Sequence, residues 1–100
     1  MDLQKFAKRA YLCALKRGKI TSTTSTVEMS IEGFCGLKEE VEEVQNASAE
    51  EPSDHLPDYS EEVEEYVDVV IVALTELYRR GTDVEKVLHE KMKYNEGRTD

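Results

Sequence analysis

One hundred residues, 39% of them apolar and only two of them proline, describe a single folded domain spanning 1–100, too small to bury a large core by itself. Twenty-two acidic against thirteen basic side chains give a net charge of −9, which argues against any general affinity for nucleic-acid polymers or anionic membrane. Cys13 and Cys35 show neither a C-x-x-C nor a Cys/His metal spacing, and the longest apolar run, 69–74, is far too short to cross a bilayer, so a cytoplasmic protein with reduced thiols is expected.

Residues 2–17 place Leu3, Phe6, Ala7, Ala10, Tyr11 and Ala14 at helical spacing, which predicts a first helix stopped by Gly18. The polar run TSTTSTV (21–27) reads as a linker, and Ser25 with Glu28 has the form of a capping box for a second helix. That helix carries Val27, Ile31, Phe34, Val41 and Val44 on one stripe, weakened locally by Gly33 and Gly36. SAEEPSDHLPD (48–58) reads as a loop, after which Asp58 is expected to cap a third helix running from about 59 to Arg80, with Gly81 as its stop and Arg79 and Arg80 complementing its dipole. Thr82 with Glu85 predicts a capping box for a fourth helix, 83–95, with Val84, Val87, Leu88 and Met92 inward. Strand-like alternation is absent. The expected fold is all-α, four helices packed as an antiparallel bundle or as half of a larger bundle completed by oligomerisation.

Asp68 stands inside EYVDVVIVAL (65–74), where apolar neighbours cover nearly every direction around the helix. An unpaired carboxylate buried in such a place costs several kcal/mol, far more than any difference in helix propensity, so something must compensate it. A pairing Arg or Lys, or protonation, is the ordinary answer. A second answer begins with Glu65, three residues earlier and so on a neighbouring line of the same helix. Glu40 and Glu43 repeat that spacing on the second helix, with Glu39 and Glu42 beside them. If the two helices face each other antiparallel, four carboxylates meet, and unit charges ~4 Å apart repel by about 4 kcal/mol per pair at an effective dielectric of 20. Such a group requires cations. All-oxygen ligands select Mg²⁺, Ca²⁺ or Mn²⁺, and Mg²⁺ is commonly shared between carboxylates and substrate phosphates. Further along, Lys91, Asn95 and Arg98 fall at i, i+4 and i+7, a line of cation, amide and guanidinium suited to phosphate oxygens.

The order LKEEVEEV (37–44), a proline-containing loop, EEYVDVVI (64–71) and then GTDVEKVLHEKMKYNEGR (81–98) resembles the MazG-like superfamily of all-α nucleoside triphosphate pyrophosphohydrolases. The resemblance covers residues 31–98; residues 1–30 match only as a generic first helix. It implies hydrolysis of a ribo- or deoxyribonucleoside triphosphate to the monophosphate and pyrophosphate by a homodimer or homotetramer. Mg²⁺, with Mn²⁺ as a substitute, would be held by Glu40, Glu43, Glu65 and Asp68, and the phosphates by Lys91, Asn95 and Arg98. Glu39 is the candidate to position or deprotonate the attacking water, with Glu42 or one of the four ligand carboxylates as its alternative. Glu42 itself departs from the family pattern, which often has a small or apolar residue there. The competing reading is a non-enzymatic helical module that binds nucleotides or a basic protein partner through its acidic faces.

Overall fold

A computed structural model describes residues 1–100 and contains four α-helices and no strand. They are α1 (Leu3–Lys16), α2 (Thr26–Asn46), α3 (Glu61–Arg79) and α4 (Val84–Glu96). The helix starts follow side-chain capping, with one expected cap kept, two displaced, and a fourth at Asp2. Ser25 caps α2 by accepting the Glu28 N–H, but the Glu28 carboxylate takes the Thr23 hydroxyl instead of closing the reciprocal half of the box. Ser60, not Asp58, caps α3, and Asp83, not Thr82, caps α4. Both displacements have a tertiary cause. Tyr59 is held in the loop by bonds to Leu56 and Ser53, so Asp58 lies outside the helix. The backbone N–H of Thr82 goes to Leu77, and its carbonyl accepts from Gln4 of α1.

α3 is the central element. α1 and α2 pack on it from two sides without touching each other, and α4 rests lightly on α1 and α3 near its own start. The inward stripe of α1 forms as expected, with Ala7 and Ala10 buried and Ala7 meeting Leu74 and Val84 in a small apolar core. Gln4 closes this end by accepting the Val84 N–H at 2.8 Å. The α2–α3 pair is antiparallel: Gly33 lies against Glu76, Gly36 beside Val72, and Glu40 and Glu43 beside Asp68 and Glu65.

Two devices fix that register. At one end the Arg79 side chain, only 2% exposed, donates to Glu32 at 2.7 Å, Glu76 at 3.3 Å and the Thr21 carbonyl at 3.2 Å. It pins α3 to α2 and to the linker, a larger role than complementing a helix dipole, whereas Arg80 does reach the last turn by donating to the Glu76 carbonyl. At the other end the loop folds back on α3: Ser48 N–H donates to the Glu61 carboxylate, and buried Ser53 donates to Glu64 at 2.7 Å while accepting the Leu56 N–H.

The apolar stripe of α2 is not a core stripe within one chain. Val27, Ile31, Phe34 and Val41 are exposed, Phe34 at 70%, and on α3 Val63, Tyr66, Val67 and Val70 are exposed as well. Leu88 and Met92 of α4, expected inward, are also exposed, because α4 leaves the body after its first turns. The apolar surroundings of Asp68 are therefore only half-buried in a single chain, as is Asp68 itself.

Gly33 and Gly36 separate packing from propensity. A methyl group on Gly33 would overlap the Glu76 carboxylate, which Arg79 and Arg80 hold in place, whereas one on Gly36 would meet only Val72 at 4.0 Å. Relieving a helix-interior glycine is worth about 1 kcal/mol. Gly36→Ala is expected to stabilise by up to about that amount, and Gly33→Ala to destabilise by ~1 kcal/mol as Glu76 is pushed off Arg79, a cost set by a lost charge-assisted bond. Urea denaturation of the two variants beside the parent chain checks the difference in sign.

Candidate metal centre

Three residues are just under one helical turn, so Glu40 and Glu43 on α2, and Glu65 and Asp68 on α3, each project as neighbouring pairs. The antiparallel register brings the pairs together. One carboxylate oxygen from each of the four residues lies within 4.8 Å of all the others. Neither Lys, Arg nor His forms a salt bridge with any of them. Glu40 Oε2 and Glu65 Oε2 are moreover buried with no hydrogen-bond partner. A buried acceptor without a donor is rare in folded proteins because it forfeits hydration for nothing.

The electrostatics follow from this geometry. Burial, and then the nearby Glu43 carboxylate, push the Glu40 carboxyl up from its ordinary range to about 7. Burial and contact with Glu43 raise Glu65 to about 7 as well. Asp68 is also raised, first by burial and then by Glu64 and Glu43. The one-residue step from Glu65 to Glu64 reverses the sign. Glu64 accepts from the Ser53 hydroxyl and meets His55 Nδ1 at 3.1 Å, and these bonds hold its carboxyl below the usual range. Both Ser53 and His55 end on Glu64, so the histidine is not placed as a base toward the serine and no nucleophilic triad forms. Glu64 is thus spent on the loop, and Glu65 is left for the cluster.

Four converging carboxylates, two of them carrying a buried and unpaired oxygen, could hold a metal ion. Opposite ligands of an octahedral Mg²⁺ stand about 4.2 Å apart and those of Ca²⁺ about 5 Å, so one hard divalent cation could reach oxygens of all four residues after small rotations.

The cluster borders a cavity of about 450 Å³ between α1, α2 and α3. Glu39 and Glu40 line it, so the residue expected from sequence to handle water stands beside the carboxylate cluster and faces open space. Thr75 and Ile71 contribute to its α3 wall, and Cys13 and Cys35 line it as free thiols. Glu42 is exposed and lines neither cavity, so nothing draws it to the centre. Lys91, Asn95 and Arg98 are not brought to the cluster. They sit on the outer, exposed end of α4, where Lys91 lies over the Tyr94 ring and Arg98 pairs with Asp100. Two cations that no motif marked, Arg17 and Lys19, line the cavity instead.

No family model, curated protein or solved structure matches the chain.

The raised carboxyls set a pH dependence whose sign is opposite to that of a salt-bridged acid. Between about pH 4.5 and about 7 the unfolded chain loses protons from Glu40 and Glu65 that the folded chain keeps, so their protonated form favours folding below that window and the advantage is lost as pH rises through it. Glu32, held at about 2 by Thr21 and Arg79, contributes outside the window and does not mask the trend. In chelator, thermal denaturation is expected to give a lower Tm at pH 8 than at pH 5. If the cluster takes Mg²⁺ or Mn²⁺, the ion at about a hundred times its Kd is expected to add ~2.7 kcal/mol, on the order of 10 °C in Tm, at pH 8 and much less at pH 5. Asp68→Asn should raise the metal-free Tm at pH 8 and abolish the metal response.

Proposed function

We propose that this chain is a Mg²⁺-dependent hydrolase that cleaves a nucleoside triphosphate, ribo- or deoxyribo-, to the monophosphate and pyrophosphate, with Mn²⁺ as a substitute ion. The observation that supports it most directly is the pair of buried, unpartnered oxygens on Glu40 and Glu65 within a four-carboxylate cluster beside a ligand-sized cavity. The resemblance of the three motifs to MazG-like pyrophosphohydrolases gives the reaction.

In this reading Glu40, Glu43, Glu65 and Asp68 hold the ion, which when bound neutralises phosphate charge and lowers the pKa of the attacking water. Glu39, exposed to the cavity, orients that water and accepts its proton. The water oxygen bonds to phosphorus as the bond to the bridging oxygen breaks, and pyrophosphate leaves with that electron pair. Lys91, Asn95 and Arg98 are assigned to the outer phosphates. All three are exposed in their own chain, where Arg98 pairs with the Asp100 carboxylate and Lys91 lies over the Tyr94 ring, so they are accessible to the site of a neighbouring copy.

A second copy is also the proposed cover for the exposed apolar face. Val63, Tyr66, Val70 and Ala73 recur at helical spacing on α3, and Ala73 shares a groove with Phe34 and Leu37 of α2, so the two exposed stripes form one surface. Only 8 of 100 residues are buried in the isolated chain, which leaves its stability to depend on association into a homodimer or homotetramer. The same face is what a non-enzymatic interaction module would use, and activity separates the two readings.

Purified protein with Mg²⁺ and a panel of ribo- and deoxynucleoside triphosphates is expected to release pyrophosphate from at least one of them. Asp68→Asn, which keeps the side chain's size and removes its charge, is expected to reduce turnover by about 10²–10³-fold, the scale of losing one catalytic electrostatic contact. The absence of pyrophosphate from every nucleotide, or full activity in the variant, removes the assignment. Sedimentation velocity should give a dimer or tetramer, and Phe34→Glu with Val70→Glu should shift the mass toward the monomer.

A further inference from the structure

The sequence motif for phosphate binding lies on the outer end of α4, yet the space beside the carboxylate cluster has cations of its own. α1 ends in a Schellman turn: Lys19 N–H donates to the Ala14 carbonyl and Gly18 N–H to the Leu15 carbonyl, with Gly18 at φ 71°. A side chain is strained at that φ, so glycine is the residue that permits the turn. The turn sends the chain from α1 across the top of the cavity, and Arg17 and Lys19, on either side of Gly18, both line it.

Neither cation is used elsewhere. The guanidinium of Arg17 and the ammonium of Lys19 take part in no hydrogen bond or salt bridge, whereas Arg79 and Arg80 are each committed to carboxylates. Across the same cavity stand Glu39 and Glu40, and Glu40 belongs to the cluster. The two cations are close enough to be felt there: Lys19 partly offsets the upward shift of Glu40, and Arg17 that of Asp68. They are nevertheless not paired with them, so cations and carboxylates face each other across open space. That is the arrangement a metal-bound phosphate chain fits, with some oxygens on the ion and others on the cations.

The charge balance calls for such a pair. A triphosphate approaching a chain of net charge −9 meets repulsion everywhere except where local cations reverse the field. One divalent ion cannot neutralise four carboxylates and a triphosphate together. We propose that Arg17 and Lys19 form the phosphate subsite of the cavity, holding di- or triphosphate oxygens opposite Glu40, Glu43, Glu65 and Asp68. This rests on the hydrolase reading and locates the phosphate chain at the α1–α2 junction of the same subunit. Cations after a helix's last turn also complement its dipole, but that role leaves ligand affinity untouched.

Calorimetric titration of the full chain with inorganic tripolyphosphate in excess Mg²⁺, at two salt concentrations, tests the subsite without requiring turnover. Arg17→Ala with Lys19→Ala is expected to bind about 100-fold more weakly, roughly tenfold for each charge-assisted contact, and to lose most of the salt dependence. Arg17→Lys with Lys19→Arg should stay within about tenfold of the parent, because charge is kept while the guanidinium fork moves. Lys5→Ala with Lys8→Ala, which removes the same charge from the exposed face of α1 away from the cavity, should bind like the parent. Unchanged affinity in the Arg17/Lys19 double variant, an equal loss in the Lys5/Lys8 control, or no binding by the parent chain overturns the subsite. Pyrophosphate release from nucleotides, measured on the same samples, distinguishes the two claims. A parent that turns over nucleotides while the Arg17/Lys19 variant keeps its KM retains the reaction and removes the subsite. A parent that binds tripolyphosphate through these cations but cleaves no nucleotide retains the subsite and removes the reaction.

Discussion

The antiparallel register of α2 against α3 is the constraint on which the rest of the molecule depends. It is held by a buried charge at one end: Arg79, flanked by Glu32, Glu76 and the Thr21 carbonyl, is satisfied on several sides and so avoids the penalty of an unpaired interior ion. At the other end the loop is stitched to α3 through Ser48–Glu61 and Ser53–Glu64. Between these two fixed points Glu40 and Glu43 have no freedom to slide away from Asp68 and Glu65. A slip by one turn would carry Gly33 off Glu76 and place bulkier α2 side chains against it, losing both the close approach and the ion pairs. The repulsion within the cluster is therefore sustained by interactions that contain no member of it.

This separation explains how a small chain tolerates a destabilising centre. Like charges a few ångströms apart, with two oxygens denied both water and donors, weaken the fold locally. Folded proteins carry such defects chiefly at sites where a ligand removes them. The shortage of core makes the tolerance narrower, since stability must be drawn from the α1–α3–α4 junction around Ala7, Leu74 and Val84, and from whatever covers the exposed apolar face.

Much of this was legible in the sequence, and the failures share a cause. Four helices follow from periodicity and from Gly18 and Gly81, both of which adopt the left-handed conformation expected of stops. The convergence of Glu40, Glu43, Glu65 and Asp68 follows from three-residue spacing on two facing helices, a local rule needing only that the helices be antiparallel. The helix starts moved from Asp58 to Ser60 and from Thr82 to Asp83 because tertiary hydrogen bonds claimed the residues before them. The apolar run around Asp68 looks like a core, yet Tyr66, Val67 and Val70 are outward in one chain, since periodicity cannot say whether a face meets its own chain or another. Arg17 and Lys19 carried no signal at all. Their position depends on where the end of α1 comes to lie relative to α2, and these helices do not touch.

Glu64 and Glu65 show that the cluster's incompleteness is selective and does not simply reflect an acidic chain. The two residues are adjacent, chemically identical and on one helix, yet one carboxyl is held low by Ser53 and His55 and the other is driven up to about 7. The fold had the means to satisfy a carboxylate at this point of α3, and it used them on the neighbour. A surface that was acidic only for solubility would leave its carboxylates in water, where they need no partner. Here Glu65 and Glu40 belong to one four-carboxylate cluster, and one oxygen of each is instead withdrawn from water and left without a hydrogen-bond donor. Of the species that restore such oxygens, a proton would serve them singly, whereas a divalent cation serves all four residues at once and cancels their mutual repulsion. That difference favours a metal as the complement of this site, and it ties the charge on Asp68 to the pinned register that places Glu40 and Glu43 opposite it.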